Sequence, residues 1–122
     1  MIGKCFLRES SRKELERLYR EFRLRKFPGS GGHQETDLLH TLRIQYEPEI
    51  GLGVKGMLED PKSVDASGIR EDEEIQREVE RLVSRYPAED EIGRIARNYA
   101  DYYDNIKKLI HAARSYLESL NR

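Results

Sequence analysis

The chain has 122 residues, 22 of them Lys or Arg and 23 Asp or Glu, for a formal net charge of −1 and a charged fraction of 37%. Such a balance leaves no global attraction to DNA or anionic lipid, no apolar run approaches the roughly 18 residues of a spanning helix, and a single cysteine, Cys5, forbids an internal disulfide framework or a cysteine-rich zinc site. What remains is one helical domain over residues 1–122, with a cytoplasmic address as the default and no membrane partner. Met1–Leu7 is followed at once by Arg8 and Glu9, which does not read as a secretory leader.

Residues 2–7 (Ile-Gly-Lys-Cys-Phe-Leu) suit a short strand or an apolar lead-in. Ser11 and Glu14 have capping-box spacing, so a helix is predicted to begin there. Leu15, Leu18, Tyr19 and Phe22 form its apolar stripe, and it should stop by Phe27, ahead of Pro28 and Gly29-Ser30-Gly31-Gly32. A second helix is expected over about 34–46, carried by Leu38, Leu39 and Leu42 with Glu35 and Asp37 in its first turn. After Pro48, the alternation of Ile50, Leu52 and Val54 predicts an irregular or weakly extended piece over 49–58. A minor β element from 2–7 and 42–56 is the alternative for those stretches. Pro61, Ser63 and Ser67-Gly68 mark a connector.

From Ile69 the helical pattern strengthens. Ile75, Val79, Leu82, Val83 and Tyr86 form a stripe behind the acids Glu71, Asp72, Glu73 and Glu74, and Pro87 ends it. Ile92, Ala96, Tyr99, Tyr103, Ile106, Ile110, Ala113, Leu117 and Leu120 then step by four and three without a slip, a four-heptad seam. A helix over 89–120 would run about 48 Å at 1.5 Å per residue. The expected fold is therefore mainly α, a three- to four-helix bundle with a long C-terminal helix.

Charge is unevenly distributed. Residues 1–30 sum to +5, 31–58 to −2, 59–91 to −7 and 92–122 to +3. A basic end and an acidic middle attract each other, within a molecule or between copies. Arg outnumbers Lys 15 to 7, and there are three Asn, three Gln and no Trp. That usage suits a heat-adapted protein and equally a GC-rich genome.

Function is less legible. The seam residues Tyr99, Tyr103, Ile106, Ile110, Ala113, Leu117 and Leu120 point to a non-enzymatic interaction module. Its partner would be another copy of itself or a different protein, and two antiparallel C-terminal helices across a twofold axis would be the simplest closure. A second candidate surface is the cationic stretch Arg20, Arg23, Arg25 and Lys26, interleaved with Tyr19, Phe22 and Phe27. Cations of this density meet phosphates, and aromatic faces stack on unpaired bases, so a nucleic-acid accessory role is an alternative. The glutamates Glu14, Glu16 and Glu21 should neutralise the first half of that helix.

Three chemical patterns complete the inventory. His33, Asp37 and His40 share one helical face and have the ligand types of a divalent-metal site. Gly51-Leu52-Gly53-Val54-Lys55-Gly56 spells a dinucleotide fingerprint, but Pro61 leaves no room for the helix the motif requires, so a turn is expected. Glu71-x-x-Glu74 and Asp101-x-x-Asp104 are similar to the E-x-x-E … E-x-x-D arrangement of the all-α nucleoside triphosphate pyrophosphohydrolases. That resemblance spans roughly a third of the chain, and it implies Glu71, Glu74, Asp101 and Asp104 as Mg²⁺ ligands for pyrophosphate release. The lone Cys5 reads as a small apolar residue. Taken together the features favour a non-enzymatic role and imply no cofactor.

Overall fold

The computed structural model describes residues 3–25, 33–62 and 69–120. The fold is mainly α. Four α-helices are described, α1 (Gly3–Leu24), α2 (Asp37–Glu59), α3 (Glu73–Arg85) and α4 (Glu91–Leu120), with a 3₁₀ turn at Gln34–Thr36 leading into α2. No strand occurs among the described residues, so the β alternative for 2–7 and 42–56 is not realised at any described position.

Helix ends follow local chemistry. Asp72 caps α3, its carboxylate accepting from the backbone N–H groups of Glu74 and Ile75 at 2.9 and 3.3 Å. Tyr86 terminates α3 just before Pro87, and Asp90 accepts from Ile92 N–H at 2.8 Å to open α4. Two expectations are corrected. Ser11 and Glu14 lie inside α1 rather than at its start, because capping-box spacing is also the i, i+3 spacing of a helix interior. Residues 49–58, predicted irregular, continue α2 through Pro48. A proline inside a helix removes one backbone hydrogen bond. Here that loss is offset by burial of Ile50, Val54 and Met57, which recur at i, i+4 and i+7 and are 0% exposed.

The chain divides into two compact units, each assembled from separated segments. The first contains α1, Glu49–Glu71 and α4 from Ile106 onward. Its interior is Leu15, Ile50, Val54, Met57, Ile69, Ile106, Leu109, Ile110, Ala113 and Tyr116, all buried. Gly53 lets the connector close in: a Cβ there would lie 3.0 Å from Ile69 Cγ1. The second unit contains α2 up to Pro48, α3 and α4 as far as Asn105. Leu39, Leu42, Tyr46, Ile75, Val79, Leu82, Ala96, Tyr99, Tyr102 and Tyr103 fill it. Its α3–α4 turn is tight. Asp90 N–H donates to Pro87 O at 3.1 Å, Arg97 Nη1 donates to Tyr86 O at 3.1 Å and to Gly93 O at 2.9 Å, and a Cβ on Gly93 would overlap the Pro87 carbonyl.

Candidate functional site

The apolar seam of α4 is occupied by the chain itself. Tyr99 and Tyr103 are buried in the second unit, and Ile106, Ile110 and Ala113 in the first, none more than 3% exposed. Leu117 and Leu120 alone among the expected interface residues are half-exposed. Five of the seven residues expected to form an interface are thus buried within the chain's own units.

What faces outward is the end of α1. Between Arg12 and Glu21 the helix carries its own ion pairs. Arg12 Nε meets Glu16 at 2.9 Å, while Arg17 reaches Glu14 at 2.6 Å and Glu21 at 3.0 Å. The Arg17 guanidinium, chiefly through its hydrogen bond, holds the Glu14 carboxyl below its ordinary range. Arg12 also ties the first unit together, donating to the Tyr116 hydroxyl at 3.0 Å and to Leu58 O at 2.8 Å. These pairs consume Glu14, Glu16 and Glu21. Among the described residues no carboxylate lies within 4.0 Å of Arg20 or Arg23.

Arg20 and Arg23 line a groove of about 490 Å³ together with Glu16, Tyr19, Leu24 and Leu58. The groove has an apolar wall and a cationic rim. The Arg23 guanidinium lies 5.8 Å from the centre of the Tyr19 ring, within cation–π range. Phe22 stacks beside Tyr19, with ring centroids 6.4 Å apart and planes 25° from parallel. Leu24 is 74% exposed. Arg25 is exposed at the end of the helix, and Lys26 lies outside the described residues. Leu58 is the contribution that sequence reasoning missed, because it sits on the part of α2 that carried turn signals.

The second unit holds a different polar group. Tyr102 donates its hydroxyl proton to Glu47 Oε2 at 2.5 Å, and Arg43 Nη1 meets the same oxygen at 3.5 Å. Tyr103 donates to the backbone carbonyl of Asp72 at 2.9 Å. Burial pushes the Tyr99 phenol above its ordinary 10.0, with neighbouring Arg43 opposing the shift. These bonds join helix to helix.

The metal patterns do not assemble. His33 Nε2 meets Glu91 at 3.0 Å, His40 Nδ1 accepts from Arg43 Nη2 at 3.3 Å, and Asp37 is exposed at the start of α2. Glu71 meets His111 Nε2 at 3.6 Å in the first unit, whereas Glu74, Asp101 and Asp104 belong to the second and are exposed. Among the described residues no three His, Cys, Asp or Glu side chains converge as a metal ion would require. The acids of the pyrophosphohydrolase resemblance thus do not fit a Mg²⁺ site. The glycine fingerprint Gly51–Gly56 is helical, which removes the strand-to-helix loop that dinucleotide binding needs. No helix among the described residues is long and apolar enough to cross a membrane.

No protein-family model, curated protein or solved structure matches the chain.

Proposed function

We propose that the chain is a non-enzymatic protein-interaction module that captures an acidic partner at the end of α1. One observation carries this reading. From Arg12 onward, Arg12 and Arg17 are paired with glutamates while Arg20 and Arg23 have no carboxylate partner among the described residues, and Arg20 and Arg23 line the groove. Charges on a groove rim steer an oppositely charged partner and fix its register, while the apolar wall supplies area to bury. Anisotropy titration with a fluorescent acidic peptide containing leucines tests it. Binding should weaken with salt and disappear in R20E/R23E. Binding that survives the double reversal, or that is absent from the wild type, overturns the reading.

A second reading, contact with unpaired nucleic acid, draws on the Arg23–Tyr19–Phe22 stack, since base–aromatic stacking with flanking cations is how single strands are held. The same titration with a single-stranded oligonucleotide separates the two. A salt-sensitive oligonucleotide complex and no peptide complex would favour the second.

A further inference from the structure

Net charge conceals a division between the units. The segments of the first unit (Met1–Arg25, Glu49–Glu71 and Ile106–Arg122) hold 15 Lys or Arg and 10 Asp or Glu, a balance of +5. Those of the second (Lys26–Pro48 and Asp72–Asn105) hold 7 and 13, a balance of −6. The whole chain carries −1, so nothing in its total charge keeps two copies apart.

The acidic unit also presents open carboxylates. The Tyr103–Asp72 hydrogen bond sets the first turn of α3 beside the 101–104 turn of α4. Glu73, Glu74, Asp101 and Asp104 lie there, all exposed and with no Lys, Arg or His within 4.0 Å among the described residues. Since these acids assemble no metal site, their combined field is available to a cationic surface. The cationic rim of the groove on α1, Arg20 and Arg23, is such a surface.

We infer that the acidic partner of the groove is a second copy of this chain: the Arg20–Arg23 rim of one copy docks on the Glu73–Glu74 and Asp101–Asp104 acids of the next. This rests on the groove being the binding surface, as proposed above. The two complementary surfaces belong to different units of one chain, so each copy brings both halves of the contact. Salt dissolves the association.

Light scattering on the full chain and two charge variants tests the inference. At about 20 mM salt, where screening is weak, the wild-type mass should rise with concentration above the 14.3 kDa of one chain. It should return to 14.3 kDa at about 0.5 M salt. R20E/R23E retains only the acidic surface and E73K/E74K only the basic one, so each should be monomeric alone. Mixed, they should associate again, because the basic rim of one meets the acidic surface of the other. That rescue also shows that both variants are folded. A wild type monomeric at low salt, or a mixture that forms no complex, overturns the inference. If the wild type stays monomeric yet binds the acidic peptide in a salt-sensitive manner, self-association fails while the groove reading stands. If it binds neither itself nor the peptide, both fail.

Discussion

The two units are held together by different chemistry. In the first, α1, the second part of α2 and the end of α4 meet through aliphatic side chains, and most ion pairs of α1 lie on its outer surface. Arg12 is the main polar bridge. In the second, four tyrosines are buried among the aliphatics, and Tyr102 and Tyr103 each donate a hydrogen bond across helices. An aliphatic interior is sensitive to lost volume, whereas a tyrosine-rich one is sensitive also to lost partners and to ionisation. The first unit can therefore leave arginines open at the end of α1, because its cohesion does not depend on them.

The largest effect is expected in the aliphatic unit. Ile110→Ala should cost about 4 kcal/mol in urea unfolding, the range for a fully buried aliphatic, and Ile110→Asp should unfold the chain outright. Were Ile110→Asp to stay folded and merely change the mass, the seam would be an interface after all. In the tyrosine unit, Gly93→Ala should cost about 3 kcal/mol, since the new methyl meets the Pro87 carbonyl, which is backbone and cannot swing aside. Gly53→Ala should cost far less, because the Ile69 side chain that it meets can turn away. Equal losses at the two glycines would contradict the tight α3–α4 turn. Tyr102→Phe should cost about 1 kcal/mol, one hydrogen bond to a half-exposed carboxylate.

The tyrosine unit should also be sensitive to alkali. Tyr99 holds its proton more tightly folded than unfolded. Its contribution is fully present below the unfolded value near 10 and is lost as pH rises through the higher folded value. Urea midpoints should therefore fall above about pH 10, and Tyr99→Phe should flatten part of that fall. The smallest stability change belongs to R20E/R23E, whose unfolding midpoint should match the wild type.

Much of this architecture was legible. Pro87 and the unbroken steps of four and three located α3 and α4 because breaker and periodicity agreed there, while the cap at Asp72 was hidden in a run of four acids. The second part of α2 was not legible: Pro48, Gly51, Gly53 and Gly56 are turn residues by local preference, and Ile50, Leu52 and Val54 alternate as a strand would. Tertiary burial of Ile50, Val54 and Met57 overrode both signals, while Leu52 was left 71% exposed. The start of α1 was misplaced for a related reason, since nothing local distinguishes Ser11 and Glu14 as a cap from an interior pair. At the candidate site, the pairing of Arg12 and Arg17 with glutamates could be read from i, i+3 and i, i+4 spacing, and so could the excess of cations after Glu21. The groove could not, because Leu58 comes from α2. Nor could the sequence show that the α4 seam is filled from within, since an apolar seam looks the same whether its own chain or another covers it.

The mass of the wild-type chain as a function of salt tests the central claim most directly, because the seam and the groove predict opposite trends. An interface on the cationic groove gives a mass that exceeds 14.3 kDa at low salt and falls to it as salt rises. An association that is unchanged or strengthened by salt, as burial of an apolar seam would give, would contradict the account and return the interface to α4.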